Sequence, residues 1–307
     1  PYRDMRDFLH ILESQSCIAQ MEKGQLLLGV ANIAPIEEMF AATNSFFGKI
    51  LHSRFFTSPV DQQYFDLIRD RKISYYQLLI RELNLYRQLA KENKISLFSR
   101  KNGPWQDQEG IVLAMGLEGG HCLCRTLIRR PGAVDTMIIR DGEGDAISKD
   151  FIENPLLTPA ESLRHLQKAM WEENMDICYL ILTHLSYIPE QFLATHAFGM
   201  KMIEHEAVYP CGNGITQQGK DVIDAAYTLK VDDKPATVLI DIKHMGLKSR
   251  LDLYAYRKEK SYENIPLIAS HVGITGYSIQ EWKSALEECR LLVKNDIPYA
   301  GITVDRK

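Results

Sequence analysis

Apolar residues along this chain follow two spacings. From Ser74 to Lys94 they recur near every 3.6 residues, with Leu78, Leu79, Leu83, Leu85 and Leu89 on one face, which predicts a helix. Helices are also predicted over the first 25 residues, 36–56, 219–229, 247–259 and 279–293. Another starts at Thr158-Pro-Ala-Glu161, where Thr158 is the N-cap, Pro159 takes the first helical position and Glu161 closes a capping box. Between the helices lie short, nearly all-apolar runs at 25–33, 111–118, 175–184, 236–244 and 265–271, read as strands. Residues 297–305 give one more candidate strand. Residues 100–110, with Gly103, Pro104 and Gly110, read as a loop.

Strands apolar on both faces that alternate with amphipathic helices predict an α/β fold with a parallel sheet covered by helices. An open doubly wound sheet and a TIM (β/α)8 barrel both satisfy the pattern. No GxGxxG or GxxxxGK[ST] follows a strand, so nothing supports a nucleotide-binding loop. Five or six strands can be counted where a barrel needs eight. A barrel reading therefore has unrecognised strands, or is incomplete at one or both termini of this chain. The whole of 1–307 is read as a single domain, with an inserted segment near 128–157.

Composition narrows the class. The 307 residues carry 36 Lys+Arg against 40 Asp+Glu, a net charge of −4, with 45% hydrophobic residues. These values exclude a disordered chain and a disulfide-dense miniprotein, and the mild acidity argues against a nucleic-acid partner. Six scattered cysteines, at 17, 122, 124, 178, 211 and 289, read as buried reduced thiols and lean towards a cytoplasmic location. No apolar run reaches the length of a transmembrane helix. The chain starts at Pro1, which leaves the native N-terminus open.

Four predicted strands end in an ionisable residue: Glu118, His184, His244 and His271. In a TIM barrel the C-terminal strand ends face the active site. A carboxylate and several imidazoles brought together there suit a hydrolytic zinc site, which holds the ion and keeps a position for water. One strand-end histidine alone is more often a hydrogen-bonded structural residue, and it also occurs as a metal-free general base. Trp105, Trp171 and Trp282 read as packing residues.

The segments Gly116-Leu-Glu-Gly-Gly-His121, Ile181-Leu-Thr-His184, Gly214-Ile-Thr-Gln-Gln-Gly219, Leu239-Ile-Asp-Ile-Lys-His244 and Pro266-Leu-Ile-Ala-Ser-His271, in this order, resemble the membrane (renal) dipeptidase family of the amidohydrolase superfamily. The resemblance covers roughly residues 110–275. It implies a TIM-barrel metallo-dipeptidase with two zinc ions per chain, cleaving a dipeptide or related amide bond by a metal-activated hydroxide. By position, Glu118 would bridge both metals, and His244 and His271 would ligate the second. His184 would contact substrate and stabilise the oxyanion. His121 reads as a structural residue behind the ligands. Family members often dimerise, so the resemblance allows a homodimer, although nothing in the sequence marks an interface.

Three departures bear on this. The family's His-x-Asp metal pair after strand one has no match in these 307 residues, and is expected upstream of Pro1 if it exists. The final catalytic Asp has only Asp305 as a candidate. The segment after His271 lacks the Arg that would bind a substrate carboxylate. The alternatives are an amidohydrolase for an N-acyl amino acid or lactone, and a non-catalytic barrel with an incomplete metal site.

Overall fold

The computed structural model describes residues 18–42, 62–92, 94–103, 110–130, 132–133, 145–198 and 205–271. The elements in chain order are α1 (Ile18–Lys23), β1 (Leu28–Ile33), α2 (Glu38–Ala42), α3 (Gln62–Arg69), α4 (Tyr75–Lys91), β2 (Ser96–Leu97), β3 (Val112–Glu118), α5 (Ala146–Glu153), α6 (Pro159–Glu172), β4 (Ile177–Ile181), α7 (Gln217–Thr228), β5 (Lys230–Val231), β6 (Lys234–Pro235), β7 (Leu239–Asp241), α8 (Leu247–Glu259) and β8 (Leu267–Ile268). The candidate helix 279–293, the candidate strand 297–305 with Asp305, and residues Trp105, Trp282, Cys17 and Cys289 lie outside the described residues.

The central sheet is parallel at every pairing. Its order is β1-β3-β4-β7-β8, with β2 on β3. Val112 pairs with both Leu28 and Ser96, so β2 takes the start of the edge that β4 occupies further along. Among the described residues, β1, β3, β4, β7 and β8 follow one another across the sheet in chain order, and β2 pairs β3 off that path. A doubly wound sheet reverses at its switch point; the order of the described strands is compatible with a barrel-like α/β fold.

Local sequence explains the helices. Thr158 Oγ1 accepts from the Glu161 amide, and the Glu161 carboxylate accepts from the Thr158 amide at 2.9 Å, with Pro159 in the first turn. Ser74 and Gln77 make the same reciprocal cap on α4. Helix α6 buries Leu163, Leu166 and Met170 completely, each worth roughly 1.5–3 kcal/mol as burial. Trp171 packs in the same core. Of the cysteines, Cys122 and Cys124 are buried free thiols, and Cys178 and Cys211 are half-buried free thiols.

Two expectations are corrected. The run 25–33 is not uniformly buried: Leu28 is 49% and Val30 57% exposed, because they share one face of β1 that the described residues leave uncovered, while Ala31 and Ile33 point to the opposite, packed face. The strands are also shorter than the apolar runs. Only Glu118 lies within its strand. His184, His244 and His271 each stand three residues beyond the last paired residue, Ile181, Asp241 and Ile268 respectively. Backbone released from the ladder can turn across the strand ends, which is what aims these three rings at one point.

The segment near 128–157 ends in α5, whose Asp145 side chain caps the Ile147 and Ser148 amides. Arg125 ties α5 to α4 and α6. Its side chain is fully buried and reaches Asp150, Asn154, Ser162 and the Tyr76 hydroxyl.

Candidate metal centre

Three Nε2 atoms converge on one carboxylate oxygen. Glu118 Oε1 lies 3.1 Å from His244, 3.4 Å from His184 and 3.6 Å from His271. Glu118, His184 and His244 each offer a donor atom within 4.8 Å of the others, which forms a group able to hold a metal ion. His271 stands at the rim, half exposed, with Nδ1 against Ser270 Oγ at 2.8 Å. The His244 ring meets the rings of His184 and His271 edge-on, with centroids 4.5 and 5.2 Å away.

Backbone detail fixes these positions. His244 sits at φ +60°, in the left-handed region that a non-glycine residue rarely occupies. The turn is held by Ala197 N donating to His244 O at 2.7 Å and Gly246 N donating to Thr195 O at 2.9 Å. Strain that neighbours hold in place in this way recurs at functional sites. Gly119, directly after Glu118, has φ +107°, and a Cβ there would collide with the His121 ring.

His121 does not reach the group of three. It is buried, its Nε2 faces Pro35 O at 3.0 Å, and its ring packs edge-on to Tyr75. It thereby anchors the loop that follows β1. That loop carries a residue the sequence reading passed over, Glu37. Glu37 is buried, and Oε1 accepts from His184 Nδ1 at 2.5 Å and from the Leu185 amide at 3.1 Å, while Oε2 accepts from Ser186 Oγ. Glu37 stands four residues beyond β1, in the loop after Pro35, and closes no apolar run, so the sequence carries no signal for it. Its neighbour Glu38 is instead paired with Arg71 and Arg129.

One of the strands hydrogen-bonded to the Glu118 strand is β1. It ends in Asn32-Ile33-Ala34. Register sets Asn32 against Gly116, and the Tyr179 hydroxyl donates to Asn32 Oδ1. Ala34 offers no side-chain donor, and its amide is taken by Glu82 Oε2 from α4 at 3.3 Å. Burial, helped by the Glu118 charge, pushes the Glu82 carboxyl up to about 7.

The charges are strongly coupled. Hydrogen bonds from His184 and His244 hold Glu118 well below the usual carboxylate range. Burial disfavours the charged form of His184, but hydrogen bonds and charges from Glu118 and Glu37 outweigh it and raise the ring to about 9. Burial likewise opposes Glu37 ionisation, and His184 outweighs it, leaving Glu37 at about 2. Burial lowers His244, so it favours the neutral ring that a metal needs.

One pH dependence follows for metal-free protein. His184 is raised from 6.5 to about 9, so its support of the fold is full below pH 6.5 and lost as pH rises towards 9. Glu37 is lowered from 4.5 to about 2, so its support is full above pH 4.5 and lost as pH falls towards 2. The pair therefore stabilises most between pH 4.5 and 6.5. In chelator-treated protein, the stability advantage of wild type over His184→Gln should shrink between pH 6.5 and 9 in urea titrations. A constant advantage across that range would contradict the coupling.

Among the described residues no helix is long and apolar enough to cross a membrane. Comparisons with protein-family models, curated proteins and solved structures return no match.

Proposed function

We propose that this chain is a metal-dependent hydrolase of the membrane dipeptidase type, on a TIM barrel, acting on a dipeptide or related amide. The observation that carries the reading is the convergence of three histidine Nε2 atoms on Glu118 Oε1. One carboxylate oxygen cannot accept good hydrogen bonds from three rings at once, whereas a cation among these donors satisfies all of them. The donor chemistry fits: two imidazoles and one carboxylate are a known catalytic zinc set that leaves a position open.

Glu118, His184 and His244 would hold the ion, which gives His184 a ligand role in place of the oxyanion role implied by the resemblance. For the second zinc ion implied by the resemblance, Glu118 and His271, 3.6 Å apart, would be the further donors. When bound, such an ion polarises a carbonyl and makes a water acidic enough to ionise near neutral pH. The chain's own residues do the rest. Glu118 orients the donors, Glu37 holds His184, and the clamped turn at His244 keeps its ring on Glu118. His271, being half exposed, is placed to meet substrate at the rim.

The test is a substrate screen with zinc-loaded full-length protein, covering dipeptides with L- and D-residues at the second position. Turnover of dipeptides that falls on chelation supports the reading. Turnover confined to N-acyl amino acids or lactones would move it to the second reading, favoured by the absence of Arg in Val272-Gly-Ile-Thr-Gly-Tyr277. No turnover of any of these would leave the non-catalytic barrel.

A further inference from the structure

Glu37 is built as an acceptor with no donor role. Its two oxygens receive three donors: the His184 ring N–H, the Leu185 amide and the Ser186 hydroxyl. It is almost completely enclosed, at 1% side-chain exposure. The loop that delivers it is fixed on both sides, by His121 against Pro35 O and by the Tyr75 hydroxyl accepting from the Glu38 amide at 3.0 Å. An ionised carboxylate buried this deeply is costly unless its partners are fixed and well aimed. Three partners, from residues 184, 185 and 186, come from the single turn that carries a candidate ligand.

We propose that Glu37 is the positioning residue of the metal centre: by accepting the Nδ1 proton of His184 it fixes the tautomer and ring angle that present Nε2 to Glu118 and to a bound ion. This rests on the reading of Glu118, His184 and His244 as the metal-holding group. A carboxylate behind a ligating imidazole sets which nitrogen is free and raises its basicity. His121 and Tyr75 act one step further back, on the loop that carries Glu37.

The experiment compares full-length wild type with Glu37→Gln and Glu37→Leu. Gln has the same shape and can keep an oxygen on His184 while its amide faces Ser186 Oγ, so it removes charge but not the acceptor. Leu removes both. Zinc affinity is read by competition with a chromophoric chelator. The His184 Nδ1 proton is read by low-field NMR of zinc-free protein, identified by its loss in His184→Gln. The expected order of affinity is wild type, then Gln, then Leu, with Leu weaker by roughly 10–100-fold. The low-field proton should be present in wild type, shifted in Gln and absent in Leu.

A purely structural role would lower the melting temperature while the folded fraction kept wild-type affinity. Folded variants with wild-type zinc affinity would overturn the proposal. If Leu fails to fold, the Gln variant decides, and wild-type affinity with an unshifted proton overturns the proposal. Wild type that takes no zinc refutes the metal reading instead. In that case the proton signal still shows whether Glu37 holds His184, and its absence from wild type overturns the positioning as well.

Discussion

Glu118→Gln should reduce hydrolysis by roughly 10²–10³-fold and strip metal from the purified protein. Glu118 Oε1 is the point on which three imidazoles converge. A bound ion contributes several kcal/mol to stabilising developing charge, and each 1.36 kcal/mol is tenfold in rate, which sets that range. Gln keeps the shape but loses the negative charge, so the fold should survive. Half-burial and paired histidine contacts leave room for a neutral amide here. The check is the rate on the best substrate alongside zinc content and melting temperature of the same preparation. A variant with full zinc and a near wild-type rate would remove Glu118 from the chemistry.

The largest stability effect is expected at Arg125. Arg125→Leu should destabilise the protein by about 3–5 kcal/mol, because removing one member of a buried ion pair leaves the other without compensation. The Arg125 guanidinium has no solvent exposure and bonds Asp150 at 2.7 Å. It also donates to Ser162 at 2.9 Å and to the Tyr76 hydroxyl at 3.0 Å, and its centre lies 4.2 Å over the Tyr76 ring. One side chain thus joins α4, α5 and α6. After the substitution Asp150 keeps His165, at 2.7 Å, and the Asn154 side-chain amide, at 3.1 Å, but no guanidinium. Urea unfolding of both proteins measures the difference, and a loss below about 1 kcal/mol would show that the contacts are replaceable.

The parts legible in the sequence were those governed by short-range rules. The capping box at Thr158 and Glu161 depends on four consecutive residues, and it forms as read. The alternation of apolar runs and amphipathic stretches depends on spacing alone, and it located the parallel strands β3, β4, β7 and β8. Glu118, His184, His244 and His271 stood out because each closes an apolar run. Contacts between distant residues were not legible. Glu37 and His184 are 147 positions apart, and Glu37 lies in a loop after Pro35 with no periodicity to mark it. Arg125 looked like any polar loop residue, because its burial is created by α5 and α6 closing over it. The exposed face of β1 was hidden for a related reason: an apolar run shows that a strand can be buried, and its neighbours decide whether it is.

The same distinction applies to Asn32 and Ala34. Nothing in the stretch Gly29–Ala34 marks it as the strand beside Glu118. Only the register with Gly116 places it there, and shows that the residues at its end are an amide and a methyl. Among the described residues, the carboxylates that bond the loop after β1 or its neighbours at the centre are Glu82, on the Ala34 amide, and Glu37, on His184.

The most direct measurement is metal content per chain, by elemental analysis of full-length protein purified without chelator, beside Glu118→Gln and His244→Gln. The account expects zinc-class metal in wild type, approaching two ions per chain at full loading, and a sharp loss in both variants. Wild type that contains no metal and takes up none from added zinc would contradict it, and Glu118, His184 and His244 would then stand as a hydrogen-bonded cluster of the fold.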